Sequence, residues 1–288
     1  ELSGHLDATG RGEGEVGGEI DITGGYIVVA DATIDASGDS GGGTIQIGGE
    51  EQGKGALRRA RALLMDQTSE VHADALRDGD GGRVILFSED LTLIEGGISA
   101  RGGAEAGNGG FIETSGLANF QITQSPDASA PNGEGGDWLI DPYAISIVAA
   151  LTDSTCADTS GNCLEHALEV ILAPNFDSAA FDDVLRTVAP PMMGQNPNQL
   201  SVDLLTRALT SGMNITLSTE AFDPEATPGI YSGEEDLPAG GRGDITVDAP
   251  IVISDSDSLP GTTARLTLLA AGSIFVNEDI SVGSGSSA

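Results

Sequence analysis

Few residue types in this 288-residue chain could do chemistry, and their spacing decides what that chemistry could be. The histidines, His5, His72 and His166, lie far apart, so joint metal or haem ligation requires the fold to gather them; solvated or capping side chains are the simpler expectation. Ser115 and Ser129 border glycine-rich turns without the strand-turn-helix setting that presents a nucleophile, and they read as turn residues. A site that cuts acidic polysaccharide needs carboxylates or a cation beside a basic group on one exposed face. Aspartates are plentiful, but the arginines are scattered, and no Asp/Asp/Arg or Asp/His grouping falls on one repeated strand face. The expectation is therefore a protein that is not an enzyme, with no catalytic residue.

Cys156 and Cys163 share a loop rich in Thr, Ser, Asp, Gly and Asn, at a spacing that permits a short disulfide in an oxidising compartment. Two reduced thiols are the alternative, and a metal pair is not expected. Arg242-Gly243-Asp244 spells an integrin-type tripeptide, although Gly243 and Asp244 also open an apparent strand, Ile245-Thr246-Val247, and a plain turn accounts for them. Asn214-Ile215-Thr216 is the N-x-Ser/Thr sequon, and it too falls within an expected strand. Arg77-Asp78-Gly79-Asp80-Gly81-Gly82 resembles one unit of a calcium-binding roll, but it stands alone.

The elements that must position these residues are constrained by composition. With 42 glycines and only 4% aromatics, the chain favours short strands and tight turns around a thin aliphatic core. The formal charge is −33, and Lys54 is the one lysine, so nucleic acid and anionic membranes are poor partners because no basic stripe exists to meet phosphate. The acidic surface reads as solvating; a high-salt source or a surface that collects calcium is the sharper alternative, and calcium is the only cofactor considered. No apolar run reaches the roughly 18 residues of a membrane-spanning helix, so no membrane insertion is expected. The start, Glu1-Leu2-Ser3-Gly4, has no basic region followed by an apolar run, which fits a piece of something longer.

The main signal is repetition. Gly-Gly-x-(Ile/Val)-x-(Ile/Leu) occurs at Gly17-Gly18-Glu19-Ile20-Asp21-Ile22, Gly42-Gly43-Thr44-Ile45-Gln46-Ile47 and Gly81-Gly82-Arg83-Val84-Ile85-Leu86. Looser copies begin at Gly109-Gly110-Phe111-Ile112 and Gly135-Gly136-Asp137-Trp138, giving steps of about 25, 39, 28 and 26 residues. A second phrase, apolar-x-Ala, interleaves at Leu6-Asp7-Ala8, Ile34-Asp35-Ala36, Val71-His72-Ala73 and Ile98-Ser99-Ala100. Both ladders stretch at the same place, which locates an insertion near residues 50–70. Arg58, Arg59 and Arg61 lie there in the only basic cluster, read as a solvated loop in preference to a binding patch.

Alternation over four to six residues gives a strand with one face in the core, too short to stand alone. Stacked in register, such strands pair their amides with the rungs above and below and merge their aliphatic columns into one core. The glycine pairs would turn corners, where positive φ or a missing Cβ is needed. An antiparallel sandwich with glycine hairpins does not explain two interleaved ladders with a shared stretch.

Residues 81–148 carry wording similar to a known family. Gly81-Gly82-Arg83-Val84-Ile85-Leu86-Phe87-Ser88, Gly97-Ile98-Ser99-Ala100-Arg101-Gly102-Gly103, Gly107-Asn108-Gly109-Gly110-Phe111-Ile112-Glu113-Thr114-Ser115-Gly116, Ser129-Ala130-Pro131-Asn132-Gly133 and Trp138-Leu139-Ile140-Asp141-Pro142-Tyr143 follow in order. That succession resembles the filamentous-haemagglutinin-like adhesins, the large exoproteins of two-partner secretion. The likeness runs loosely from residue 4 to residue 282 and departs between about 149 and 200, where the cysteine loop and Ala189-Pro190-Pro191-Met192-Met193-Gly194 have no counterpart. The resemblance implies a right-handed parallel β-helix, export through an outer-membrane β-barrel transporter, a secreted, cell-surface location and a role in attachment to a host cell or surface receptor. Family exoproteins also carry a signal peptide and an N-terminal secretion domain, neither of which appears in this stretch. Glycosylation is a habit of some of these adhesins, which gives Asn214 its interest.

The expected architecture is all-β: a right-handed parallel β-helix (solenoid) with an irregular, partly helical insertion. It divides into a β-helix block at 1–148 with the loop near 50–70, an insertion at 149–200 holding Cys156 and Cys163, and a second block at 201–288. Ser201 is placed to cap a helix running through Thr210, with Asp203 near its positive end, Leu205 and Leu209 on one face and Gly212 as its stop; Ser178 to Leu185 is a weaker helix. The functional expectation is an adhesive stalk that holds a binding region away from the cell. A polysaccharide-processing β-helix enzyme and the stalk of a contact-dependent toxin are the rivals.

Overall fold

The structure, a computed structural model, describes residues 1–151, 163–174, 176–177, 179–180, 198–219, 243–254 and 263–283. These residues are mostly β, and every strand pairing among them is parallel. Strands are numbered β1 to β20 in chain order.

The first repeated phrase builds one seven-stranded ladder. Its members, in spatial order, are β2 (Glu19–Ile22), β4 (Thr44–Ile47), β7 (Arg83–Ser88), β10 (Phe111–Gly116), β12 (Asp137–Ile140), β15 (Asn214–Ser218) and β18 (Leu266–Leu269). The register never slips along the inner column Ile20, Ile45, Val84, Ile112, Trp138, Ile215 and Leu266. A one-residue slip would turn the whole aliphatic set outward, so burial fixes this register. Trp138 is the one large ring in the column, and its indole N–H donates to Thr114 Oγ1 at 2.9 Å, which satisfies the only polar atom that the ring brings into the core.

The glycine pairs resolve the choice left open by the sequence. None of them has a positive φ; what they supply is the missing Cβ. A Cβ on Gly43, Gly82, Gly110 or Gly136 would sit 2.0 to 2.1 Å from the carbonyl oxygen of the equivalent glycine one rung away. A Cβ on the first glycine of each pair would lie equally close to another backbone carbonyl, as one on Gly81 would to Ala100 O at 2.0 Å.

The second phrase builds another ladder from β1 (Leu2–Asp7), the end of β3 (Tyr26–Asp35), β6 (Glu70–His72) and β9 (Gly97–Ser99), with Leu6, Ile34, Val71 and Ile98 in one inner column. A third ladder has no repeated phrase. It joins the start of β3 to β5 (Ala62–Met65), β8 (Leu91–Ile94) and β11 (Phe120–Ile122). β3 serves both ladders by bending at Asp31, which takes a φ of 51°. The stretch at 50–70 is accordingly only partly a loop: β5 is fully buried, and β6 completes the rung. Ala62-Leu63-Leu64-Met65 shows no alternation because both its faces are covered.

The outer cover is a helix. α1 (Cys163–Ile171) lays Leu164, Ala167 and Ile171 on the outward Val28, Ala62, Leu64, Leu91 and Leu93, with Phe176 edge-on to Tyr26 at 4.8 Å between ring centroids. A second helix, α2 (Val202–Thr210), forms as its sequence predicts. Ser201 accepts from the Asp203 N–H at 3.2 Å, Gly212 leaves the helix at a φ of 91°, and Leu204, Leu205, Ala208 and Leu209 enter the main core.

The remaining strands are β13 (Ile145–Val148), β14 (Gln199–Ser201), β16 (Ile245–Val247) and β19 (Ile274–Val276) in one sheet, and β17 (Ile251–Ser254) with β20 (Ile280–Gly283) in another. β14 is out of chain order, pairing with β13 on one side while Asn198, just before it, accepts from the Phe120 N–H of β11 at 2.7 Å on the other. One hydrophobic core runs from Ile27 to Ile253 across the three ladders, α2, β13, β14, β16 and β17, while Ile274, Phe275 and Val276 of β19 stay exposed.

Candidate functional site

Two polar groupings stand out. The first follows from the outward column of the second ladder, where Asp7, Asp35, His72, Ser99 and Asp127 stack rung upon rung. After each of these positions comes a buried or half-buried alanine, and then a residue whose N–H must be capped as the chain leaves the strand. On three rungs the solution is local: Asp7, Asp35 and Asp127 each accept from the N–H two residues on, that of Thr9, Ser37 and Ser129, all at 2.9 Å. The hydrogen bonds from Thr9 hold the Asp7 carboxyl below its usual range.

On the two middle rungs the cap crosses between turns. Ser37 Oγ accepts from the Asp74 N–H at 3.2 Å, and Asp74 Oδ1 accepts from the Arg101 N–H at 2.7 Å. Asp74 also takes two guanidinium bonds from Arg101, at 3.0 and 2.6 Å, which raise the arginine's pKa. Ser99 Oγ lies 3.0 Å from Asp74 Oδ2 and 2.8 Å from His72 Nδ1. The structure therefore gathers an Asp/His/Ser/Arg grouping at the ends of two neighbouring strands, His72 and Ser99 on the strands and Asp74 and Arg101 in the turns that follow, because residues about 27 apart become neighbours one rung apart.

Its wiring is not that of an activated serine. A carboxylate can only accept, so Ser99 gives its single proton to Asp74, and His72 Nδ1 must then be the donor to Ser99. The imidazole's free nitrogen, Nε2, faces Glu70 at 4.0 Å and not the serine. The Ser99 proton is thus held by the Asp74 carboxylate and not by the imidazole, and the group caps the turns.

The second grouping lies on the outer face of the first ladder. A strap from Gly48 to Ala60 closes on itself through the Ala60 N–H and Gly48 O at 2.7 Å. It covers the outward Ile85 and Phe87, whose apolar floor also includes Leu117, Phe111 and Tyr143. Gln52, at the strap's tip, has a φ of 54°. Its N–H donates to both oxygens of Glu113, at 3.0 and 3.1 Å, and its amide nitrogen donates to Asp141 Oδ2 at 2.7 Å. Glu113 and Asp141 are both fully buried. Burial pushes the Glu113 carboxyl up from 4.5 to about 7, with Asp141 and Glu51 adding to the rise against hydrogen bonds from Gln52 and Ser115. Arg83 pairs with Glu51 and stacks 4.1 Å from the centroid of Phe111.

The other residues singled out by sequence are dispersed. His5 lies 3.7 Å from Asp7 on the first rung, away from His72, and the His166 side chain is outside the described residues. Ser115 accepts from the Asp141 N–H at 3.1 Å and is fully buried; Ser129 is a capped turn residue. Cys156 lies outside the described residues, as does the side chain of Cys163, so the disulfide reading lies there too. Arg242 is likewise outside them. Gly243 turns at a φ of 85°, and the Asp244 carboxylate accepts from the Ser273 N–H of the next rung at 2.7 Å, which is the turn role expected of it. Asn214 opens β15, and its amide donates to Asp137 Oδ1 at 3.1 Å. Asp78 and Asp80, in the calcium-like phrase, accept from Ser40 Oγ at 2.5 Å and the Asn108 N–H at 2.7 Å. Arg59 and Arg61 of the basic cluster pair with Glu89 at 2.9 Å and Asp90 at 2.6 Å.

Glu113 and Gln52 were not visible as partners in the sequence. Glu113 occupies an outward column shared with Asp21, Gln46, Ile85, Leu139, Thr216 and Thr267, where a glutamate normally meets water; Gln52 of the strap, 61 residues away in sequence, meets it there. Compared with protein families and with curated proteins, the chain matches none.

Proposed function

We propose that this chain is a structural, adhesive segment of a large secreted bacterial surface exoprotein of the two-partner secretion kind, wound as a right-handed parallel β-helix. It leaves its cell through an outer-membrane β-barrel transporter and holds a binding region away from the surface. The observation that supports this most is the unslipped column from Ile20 to Leu266. Seven rungs at the parallel-strand spacing span about 29 Å, so length grows with repeats while the cross-section stays constant, as a spacer requires. The polar columns support the same reading, because their side chains are used to cap turns.

Antibody raised against the chain and applied to intact source cells tests the location. Surface labelling that is removed by protease shaving is expected; antigen found only in lysates overturns it. The rival reading, an enzyme acting on acidic polysaccharide, predicts ultraviolet-absorbing unsaturated products from polygalacturonate or alginate, and none are expected.

A further inference from the structure

We propose that the Gly48–Ala60 strap is a proton-controlled cover, seated when Glu113 carries a proton and lifting from the outer face of the first ladder when that carboxyl ionises. The geometry supplies each part of such a device. Its two ends are joined at Gly48 and Ala60, so the strap can move without disturbing the strands on either side. Gly48 and Gly53 hold positive φ, at 82° and 62°, and Gln52 at 54° keeps a non-glycine residue in a region that L side chains avoid, a strain that lifting would release.

What holds the tip down is the Gln52 backbone and amide against two buried carboxyl groups. The charged groups acting on Glu113 are Asp141 just beyond β12 and Glu51 on the strap; on the same elements Lys54 donates to Gln52, Tyr143 packs on the apolar floor, and Arg83 on β7 is engaged by Glu51. Lys54 is turned to Gln52 Oε1 at 2.9 Å. Both carboxylates acting on Glu113 oppose its ionisation, and burial opposes it further.

The direction follows from proton linkage. With the strap down, Glu113 titrates near 7 instead of 4.5, so the seated state holds a proton that the lifted state has lost between those values. Seating is strongest below the lower value and weakens as pH rises toward the upper, with the lifted fraction growing about tenfold per pH unit in between. Lifting uncovers Phe87, against which Gly49 and Gly53 of the strap are packed.

The test is hydrogen exchange on the intact chain from pH 5 to pH 8, with each amide normalised to its intrinsic rate. Protection of the Gln52 amide is expected to fall about tenfold per unit up to about 7, while Val84 in the core stays constant. In Glu113→Gln the Gln52 protection should be high and flat. A flat wild-type profile, a Glu113→Gln profile that falls like the wild type, or a parallel fall at Val84 would each overturn the cover.

Discussion

Replacing Gly110 by alanine adds one methyl group, yet the stacked backbone gives that group no room. The new Cβ would lie 2.0 Å from Gly82 O and 2.6 Å from Gly81 C, so the rungs must part by more than an ångström to restore ordinary contact. The two hydrogen bonds at that junction, Gly110 N–H to Ala100 O at 2.7 Å and Phe111 N–H to Gly82 O at 2.9 Å, do not survive such a separation. Each is worth about 1 kcal/mol net, and a buried donor left without a partner adds about 1 kcal/mol or more, so the expected loss is about 3–5 kcal/mol. Gly18 stands in the same column but on the edge rung. Its Cβ would meet Ala8 Cβ and O at 3.2 Å, a contact relieved by small shifts, and Gly18→Ala should cost less than about 1 kcal/mol. Urea unfolding followed by the fluorescence of Trp138, which pairs with Ile112 beside the substituted residue, measures both. Equal losses for the two variants, or a Gly110→Ala loss below about 1 kcal/mol, would refute close approach as the reason for the glycines.

Asp74→Ala should cost about 2–3 kcal/mol, because it leaves the Arg101 N–H and the Ser99 hydroxyl without their acceptor, whereas Asp74→Asn keeps a carbonyl oxygen and should cost roughly half as much; urea midpoints compare the two. Leu64→Ala removes a buried side chain that faces α1 and should cost about 2–4 kcal/mol. Its effect on hydrogen exchange should concentrate in α1 and leave the first ladder protected, and uniform loss across both would count against a separate outer cover.

Two of the three ladders were legible because their phrases mark strand, face and corner together: Ile20, Ile45 and Val84 alternate with polar neighbours and follow glycine pairs. The third was not, since Tyr26-Ile27-Val28-Val29 and Ala62-Leu63-Leu64-Met65 are apolar on both faces and lack punctuation. Their outward sides are explained only by α1, roughly a hundred residues away, a relation that periodicity within a window cannot express. The α2 helix was legible because capping is local: Ser201, Asp203 and Gly212 act within one turn of the residues they serve. The polar groupings failed the same test of locality. Asp74 meets Arg101, and Gln52 meets Glu113, only after rungs are stacked.

The misplaced order of β14 bears on how the molecule is made. Stacked parallel strands can in principle zip up as each follows the last, but β13 leaves the chain before the strand that must lie between it and β11 has been supplied. The Asn198 to Phe120 bond spans 78 residues, so the zipper halts there until the intervening segment returns. Assembly is thereby split into two stages, the later turns and the α1 cover of the earlier ones both waiting on chain that follows β13.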